Sequence, residues 1–256
     1  MILCLDIGNT QIFGGIFVED KLRFNFRHDT TQSCTSDQLG IFLKNVVREN
    51  NLDPGAINQI AICSVVPHMD YSIRSACKKY FSIEPFMLQP GVKTGIKIKY
   101  RNPLEVGADV IAEAIAAVQL YPEQNVITID FGTATTLCPV NDKKEFLGGL
   151  ILPGMRLGME SLQNNTAKLP TVKIIKPEQI LGTSTIESIQ SGIYYGQLAA
   201  IKEITEQLTE ELFAGKKPII IGTGGFAYLF AEENVFTAII PNMVLQGLLL
   251  ALQMNS

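Results

Sequence analysis

The sequence of 256 residues predicts a mixed α/β protein built from two related halves. The first observation is a phrase that occurs twice, as Asp6-Ile7-Gly8-Asn9-Thr10 and as Asp130-Phe131-Gly132-Thr133-Ala134, each after an apolar stretch. The second is the order of predicted elements, because each half contains three strands followed by alternating helices and strands. The two aspartates lie 124 positions apart, so the repeat divides the chain nearly in half. Internal repetition on this scale predicts the architecture before any local motif does.

In the first half, hydrophobic periodicity separates strands of period two from helices of period 3.6. Leu39, Leu43 and Val47 form the apolar face of its first helix. An Ala-rich helix at 105–120 joins the two halves. The predicted elements before that helix are strands at 2–6, 11–18 and 21–28, a helix at 36–50, a strand at 58–65, a helix at 68–80 and a strand at 84–88.

The second half repeats this order. A helix follows Pro153-Gly154, where the proline ends a strand, and residues 164–182 are the least regular segment. The predicted elements are strands at 125–130, 134–140 and 144–152, a long helix near 184–213, a strand at 218–222, a Gly-led helix, a strand at 235–240 and a last helix after Pro241. We therefore predict domains at 1–117 and 118–256, each a mixed sheet flanked by helices.

Composition excludes several classes of function. A chain that is 46% hydrophobic and 18% charged has the material for a large globular core. A net charge of −4 and the absence of a basic stretch argue against nucleic-acid binding. The amino terminus begins in a strand rather than a signal peptide, and the apolar run at 244–252 is too short to span a membrane. Five cysteines without a Cys-x-x-Cys pair predict reduced thiols and a cytoplasmic protein.

The repeated phrase itself suggests phosphate chemistry. A glycine in the turn after a strand lets backbone N–H groups approach an anion, and neighbouring Thr and Asn side chains add donors. An aspartate at the same place repels a bare phosphate, which favours phosphate bound together with a metal ion. The alternative is an ordinary hairpin turn, since Asn and Gly both favour such turns. The second copy of the phrase favours the phosphate interpretation.

In their order along the chain, the motifs resemble those of type III pantothenate kinase, a family of the actin-like ATPase superfamily. The two Asp-Gly phrases resemble its two phosphate motifs, and the resemblance covers nearly the whole chain. The further matching motifs are Tyr100, Gly107-Ala108-Asp109, Gly148 to Gly154, Thr166 to Pro170, Gly182 to Thr185, Ser191-Gly192 and the adenosine-side motif Thr223-Gly224-Gly225.

The resemblance implies ATP-dependent phosphorylation of pantothenate, with Mg²⁺, in the first step of coenzyme A synthesis. It implies that Asp109 is the general base and that Asp130 is a ligand of a monovalent cation, K⁺ or NH₄⁺. It also implies a homodimer in which Thr185 of one subunit reaches the pantothenate of the other. The residues implied to bind ATP phosphates are Asp6, Ile7, Gly8, Asn9, Thr10, Gln11, Ile12, Phe13 and Thr133. Those implied to bind pantothenate are Tyr100, Gly107, Ala108, Asp109, Val110 and Thr185.

One position departs from the family pattern. The family usually reads Gly-Ala-Asp-Arg, whereas this chain has Val110 after Asp109. The missing arginine is expected to hold the pantothenate carboxylate, and such a contact is typically worth about 1.5–3 kcal/mol. Lys97, Lys99 and Arg101 are the nearby cations. Val110 leaves open two further interpretations: an ATP-binding paralogue without catalysis, or a kinase for an uncharged alcohol.

Several site residues also have ordinary structural interpretations. Asp109 suits the first turn of a helix because of the helix dipole. Thr185 suits the cap of the long helix, and the two functions can coexist. Tyr100 fits an ordinary strand, and Thr223-Gly224-Gly225 fits a strand-to-helix turn.

Overall fold

The computed structural model of the protein describes residues 1–31 and 34–256, and these residues form two compact units. The first unit contains residues 1–96, 101–116 and 243–256, and the second contains 97–100 and 117–242. Each unit is built around one mixed β-sheet flanked by helices, so the predicted fold class is confirmed. The last helix belongs to the first unit, so the compact units differ from two contiguous segments. The halves 1–117 and 118–256 stay a prediction about internal repetition.

The sheet of the first unit has the strand order β3-β2-β1-β4-β5. The central strand β1 pairs antiparallel with β2 and parallel with β4. Its strands are β1 (Ile2–Ile7), β2 (Gln11–Val18), β3 (Lys21–Asp29), β4 (Gln59–Ser64) and β5 (Phe86–Met87). Strands β1, β2 and β4 are apolar on both faces because helices cover both sides of the sheet.

Four helices pack on this sheet, two on each face. Helices α1 (Ser36–Glu49) and α2 (Pro67–Phe81) cover the face that carries Leu3, Leu5 and Ile7. Helices α3 (Ala108–Leu120) and α6 (Met243–Asn255) cover the opposite face, which carries Cys4, Phe13 and Cys63. Gly247 of α6 lies against the backbone of Ala112, where an added Cβ atom would overlap the chain. This close approach brings the start of α3 to the sheet.

The sheet of the second unit has the order β12-β11-β7-β8-β9-β6, and β10 pairs with β8 at one side. Its strands are β6 (Lys97–Ile98), β7 (Val126–Phe131), β8 (Ala134–Val140), β9 (Glu145–Phe146), β10 (Leu150–Pro153), β11 (Ile219–Gly224) and β12 (Ala238–Ile239). Helices α4 (Met155–Asn164) and α5 (Thr185–Phe213) complete the unit. The fully buried Tyr194 of α5 stacks on Phe230, and its hydroxyl donates to the Glu233 carboxylate at 2.8 Å.

The two sheets repeat one plan. Strands β9-β8-β7-β11-β12 occupy the same order in the second sheet as β3-β2-β1-β4-β5 in the first. In each sheet the central strand pairs antiparallel with the following strand and parallel with a later one. The structural repeat therefore extends beyond the repeated phrase to the whole core of each sheet.

Several predicted elements need correction, and one of them is the strand predicted at 84–88, which is only Phe86–Met87. The predicted strand at 144–152 is two strands, because Gly148 adopts a φ of 137° and interrupts the extended chain. The Gly-led helix is a 3₁₀ helix at Ala227–Glu233, and the strand predicted at 235–240 is only Ala238–Ile239. Among the described residues, no helix is both long enough and apolar enough to cross a bilayer.

Candidate functional site

The first Asp-Gly phrase forms a tight turn between β1 and β2. The Gly8 N–H donates to the Gln11 carbonyl at 3.1 Å, which closes the turn. Thr30, directly after β3, supports it, because its hydroxyl donates to the Gly8 carbonyl at 2.7 Å and its N–H donates to the Thr10 carbonyl at 2.9 Å. The side chains of Asn9 and Thr10 are exposed at the tip. The turn is both an ordinary hairpin and a rigid set of N–H and side-chain donors.

Not every predicted ATP residue offers a side chain. Ile7, Ile12 and Phe13 are buried in the core of the first unit. The Arg27 guanidinium also lies over the Phe13 ring, with its Cζ 4.2 Å from the ring centroid. Only the backbone of these three residues is suited to a phosphate, whereas Asp6 near the end of β1 and Asn9 and Thr10 in the turn have polar side chains.

The Asp6 carboxylate has a buried thiol as a neighbour. Asp6 and Cys63 are register partners in the parallel pair of β1 and β4. The Cys63 thiol donates to Asp6 Oδ1 at 3.3 Å. Burial raises the pKa of this thiol well above its usual value, and the charges of Asp6 and Asp109 raise it further. Cys63 therefore stays a neutral hydrogen-bond donor beside both carboxylates.

Asp109 lies at the second residue of α3. Its Oδ1 accepts the Val110 N–H at 2.8 Å, as expected for a carboxylate in the first turn of a helix. An added Cβ atom at Gly107 would overlap Asp109 Oδ1 and lie 3.5 Å from the Val65 side chain, so glycine allows this close approach. Burial raises the pKa of Asp109, and the backbone N–H groups only partly oppose that shift. A carboxyl group with a raised pKa is a stronger proton acceptor than an ordinary aspartate.

The second Asp-Gly phrase forms the corresponding turn between β7 and β8. The Gly132 N–H donates to the Ala134 carbonyl at 3.1 Å, and the Thr133 side chain is exposed. Gly154, which precedes α4, lies so close to the Gly132 and Thr133 carbonyls that a side chain would overlap them. The start of α4 thus rests on this turn and fixes its shape.

Asp130 is enclosed by glycines of the same unit. It is the register partner of Thr223 in the parallel pair of β7 and β11. Gly224, at a φ of 82°, would overlap Asp130 Oδ1 if it carried a Cβ atom. An added Cβ atom at Gly132 would lie 3.1 Å from Asp130 Oδ2. A carboxylate is a hard oxygen donor, which is the kind of ligand that hard cations prefer.

The cations near Tyr100 are not equivalent. Lys97 and Lys99 both reach Glu145 Oε1, at 3.6 and 3.2 Å, and the hydrogen bond to Glu145 raises the pKa of Lys99. Arg101 is exposed and takes part in none of the ion pairs found within the described residues. Tyr100 itself is 40% exposed, with its ring 6.4 Å from that of Phe146. Among these residues, Arg101 is the cation available to an anionic ligand.

Thr185 lines a cavity of about 790 Å³ in the second unit. The cap of α5 is Ser184 and not Thr185, because the Ser184 hydroxyl accepts the Glu187 N–H at 3.3 Å and Glu187 completes a capping box. Thr185 is the first helical residue, and it is exposed. The cavity is lined by Gly158, Leu162, Leu169, Gly182, Thr183, Ser184, Thr185, Ser188, Ile189, Gly192 and Ile193.

Sequence reasoning missed the thiol of Cys63 as part of the site. The sequence predicts Cys63 only as a small buried hydrophobic residue, and its burial is confirmed. The available signal was its position near the end of an apolar strand that could pair with β1, but strand pairing is not readable from local periodicity. The capping box Ser184-Thr185-Ile186-Glu187 is readable in the sequence, and the prediction that Thr185 is the cap is wrong, because Ser184 holds that position.

The strand order and the two Asp-Gly turns define a protein of the actin-like ATPase fold. A Baf family protein from Campylobacter jejuni has a similar crystal structure, with a TM-score of 0.62 and 17% identity over 99% of this chain and 98% of that one. This likeness supports the fold alone.

Sequence comparison is more specific. A model of the type III pantothenate kinase family matches residues 2–207. Curated type III pantothenate kinases are similar over 100% of both chains, with 59% identity for a protein of Legionella pneumophila and 51% for one of Francisella tularensis. A type III pantothenate kinase of Elusimicrobium minutum is 44% identical over all of this chain and 99% of its own length. The chain belongs to the type III pantothenate kinase family.

Proposed function

We propose that this protein transfers the γ-phosphate of ATP to pantothenate and forms 4'-phosphopantothenate, the first step of coenzyme A synthesis. Membership of the family over the full length of its relatives supports the reaction. The observation that carries it is the half-buried Asp109 carboxyl at the start of α3, whose charge acts on Cys63 together with that of Asp6 and whose pKa is raised. Synthesis of coenzyme A and five reduced thiols are consistent with a cytoplasmic enzyme.

Asp109 acts as the general base in this proposal. It accepts the proton of the primary alcohol of pantothenate while the alcohol oxygen attacks the γ-phosphorus. The bond from that phosphorus to the bridging oxygen breaks, and ADP leaves. Phosphoryl transfer depends mainly on position and charge, so a rigid carboxyl at a helix start suits it. The bond from Val110 N–H to Asp109 Oδ1 fixes the orientation of the group.

Each of the two turns, within its own unit, is suited to bind a phosphate group of ATP. Gly8, Asn9 and Thr10 offer N–H groups and polar side chains in a turn that Thr30 stabilises. Thr133 offers the same in the second turn. Asp6 fits a role in holding the Mg²⁺ that accompanies ATP, because a carboxylate beside phosphate donors needs a cation to offset the repulsion. Mg²⁺ supplies charge neutralisation on the transferred phosphate when bound.

Asp130 binds a monovalent cation, K⁺ or NH₄⁺, in this proposal. Its carboxylate faces the tight turn of Gly224, and glycines at 132 and 224 leave no room for other side chains there. A cation beside this carboxylate lowers the repulsion between Asp130 and the ATP phosphates.

The active form is a homodimer, and Thr185 acts in the pantothenate site of the partner subunit. Around the cavity that Thr185 lines, α4 and α5 expose Leu157, Ile186, Gly192 and Gly196, and Gly158 is half-exposed. An added Cβ atom at any of these three glycines meets nothing within 4 Å. Exposed apolar side chains beside glycines favour close packing with another helix. A second copy of this chain fits that surface.

Arg101 takes the role of the arginine that the family usually has at the position of Val110. Lys97 and Lys99 are engaged by Glu145, while Arg101 follows the substrate residue Tyr100 and is exposed. Its guanidinium is suited to hold a carboxylate by two parallel hydrogen bonds, which a lysine cannot do. Pantothenate therefore stays the expected substrate despite Val110.

A coupled assay of ADP release tests this function. Purified protein is given Mg-ATP, K⁺ and either pantothenate or an analogue whose carboxylate is replaced by an uncharged amide. We expect ADP release with pantothenate and at least about ten-fold lower kcat/KM with the amide, because one charge-assisted contact is lost. Equal use of both substrates contradicts carboxylate recognition. Nucleotide binding without turnover of either substrate contradicts the kinase assignment.

A further inference from the structure

We propose that Cys63 is a positioning residue, whose thiol orients the Asp6 carboxylate for Mg-ATP. This inference rests on the proposed role of Asp6. Cys63 is fully buried, and its Sγ lies 3.3 Å from Asp6 Oδ1, the atom to which the thiol donates. The partner is fixed by the backbone, because the parallel register of β1 and β4 sets Cys63 directly beside Asp6. The bond is therefore built into the sheet.

A thiol suits this position better than a charged or strongly hydrated donor. The neighbours of Cys63 on this face include Ala61, Ala112 and Leu245, which leave the thiol in an apolar core. Both Asp6 and Asp109 act electrostatically on the thiol. A neutral donor at this position forms a hydrogen bond with Asp6 but adds no positive charge that would compete with a cation for the carboxylate. The hydrogen bond from the thiol to Oδ1 restrains the rotation of the Asp6 side chain. It therefore also fixes the direction in which Oδ2 points.

The second sheet supports this inference independently. Its central Asp130 has Thr223 as the parallel register partner, in the position that Cys63 holds beside Asp6. Thr223 is 2% exposed and Cys63 is 0% exposed. Both residues are small, buried and able to donate one hydrogen bond from a side chain. Each sheet thus places a neutral single donor beside the aspartate of its central strand.

The test separates a positioning role from simple packing. Cys63→Ala removes the donor, Cys63→Ser keeps it, and Cys4→Ala is the matched control. Cys4 is a fully buried thiol on the same sheet face and in the same apolar cluster, two residues before Asp6 on β1. Its register partner in β4 is Ala61, so no carboxylate stands beside it there. Both alanine variants lose the same sulfur volume.

We expect Cys63→Ala to raise the KM for Mg-ATP roughly three- to ten-fold, as for one lost hydrogen bond, with kcat changed by less than about two-fold. Cys63→Ser is expected to restore the KM, and Cys4→Ala to leave it unchanged although both alanine variants lower the melting temperature. An unchanged KM in Cys63→Ala, or an equal rise in Cys4→Ala, overturns the proposal.

Direct binding keeps this result separate from the kinase assignment. The Kd of a non-hydrolysable Mg-ATP analogue is measured by calorimetry for the same proteins, and the same three- to ten-fold pattern is expected there. If the unaltered protein binds the analogue but does not phosphorylate pantothenate, the proposed function fails while the Kd pattern still decides the role of Cys63. If Cys63→Ala does not fold, Cys63→Thr and Cys63→Val give an isosteric pair that differs only in the donor. Equal Kd values in that pair overturn the proposal.

Discussion

The two sheets of the protein share one strand order but carry different groups beside their central aspartates. In the first sheet, Asp6 has the Cys63 thiol as its strand neighbour, and Asp109 approaches from α3. In the second, Asp130 has Thr223 as its strand neighbour and the backbone of Gly224 close above its carboxylate. The same strand order therefore leaves room for the Asp109 carboxyl of α3 beside the first sheet. In the second sheet, the backbone of Gly224 occupies the space next to Asp130.

This difference indicates that the two sheets have different functions. The first sheet adds a second carboxyl group with a raised pKa, which is a feature of proton transfer. The second sheet adds glycines in place of side chains, which is a feature of ligand or ion binding close to the backbone. We therefore expect loss of the Asp109 carboxyl to affect turnover, and changes around Asp130 in the second sheet to affect stability, nucleotide binding and the response to ions.

The largest effect is expected in the first sheet. Asp109→Asn keeps the shape of the side chain and removes the base, so kcat should fall roughly 10²- to 10⁴-fold while pantothenate binding is retained. Steady-state ADP release and a substrate-binding titration measure the two quantities. Glu105→Gln is the control, because Glu105 is an exposed carboxylate on the preceding 3₁₀ turn, at Pro103–Glu105. Unchanged turnover in Asp109→Asn removes the base assignment.

The second sheet is tested by its glycine. Gly224→Ala forces a side chain into Asp130 and the backbone of Phe131 at a φ of 82°. We expect the free energy of unfolding to fall by about 1–3 kcal/mol or more, with a higher KM for Mg-ATP, measured by denaturant titration and kinetics. Gly225→Ala is the matched control, since an added Cβ atom there meets nothing within 4 Å. Equal stability of the two variants is incompatible with the close approach described for Gly224.

The response of the rate to a monovalent cation should depend on Asp130 of the second sheet and not on Cys63 of the first. We expect K⁺ or NH₄⁺ to stimulate the rate relative to Na⁺, and Asp130→Asn to lose roughly ten-fold or more of that rate and its ion dependence, as for one lost charged contact. Initial rates in chloride salts of equal ionic strength measure this. Cys63→Ala should keep the full response to K⁺. Equal rates of the unaltered protein in Na⁺ and K⁺, at saturating ATP, would count against a cation at Asp130.

The smallest of these effects concerns the pantothenate carboxylate. Arg101→Ala should raise the KM for pantothenate by about ten-fold with kcat less affected, because a contact common to substrate and transition state is lost. Val110→Arg in the Arg101→Ala background should restore that KM. Lys97→Ala is the control, since Lys97 pairs with Glu145 at 3.6 Å. If Lys97→Ala and Arg101→Ala behave alike, Arg101 is not the specific partner.

Much of the sheet structure was predictable because it depends on local patterns. Apolar runs of strand length and the repeated Asp-Gly phrase predict β1, β2, β7 and β8 to within one or two residues. The break at Gly148 and the 3₁₀ helix at Ala227–Glu233 were not predicted, because a positive φ and a tighter helix leave the hydrophobic pattern almost unchanged. Likewise, the packing of α6 in the first unit depends on contacts that are distant in sequence.

The site was predictable only in part. Its residues were expected from the resemblance, but their environment depends on the fold. The Cys63 thiol became a partner of Asp6 through strand register, and the Asp109 pKa was raised through burial. Lys99 forms an ion pair with Glu145, which is 46 positions later in the sequence, so it is not available to a ligand. Such long-range electrostatic relations cannot be read from spacing alone.

The pH dependence of kcat/KM for pantothenate tests the central claim most directly. A base must be ionised, so activity should be lost as the pH falls through the pKa of Asp109. Because burial raises that pKa, the acid limb should lie above the ordinary aspartate value of about 3.9, and it should be absent from the residual activity of Asp109→Asn. An acid limb at the ordinary value, or the same raised limb in Asp109→Asn, would contradict Asp109 as the base of a pantothenate kinase.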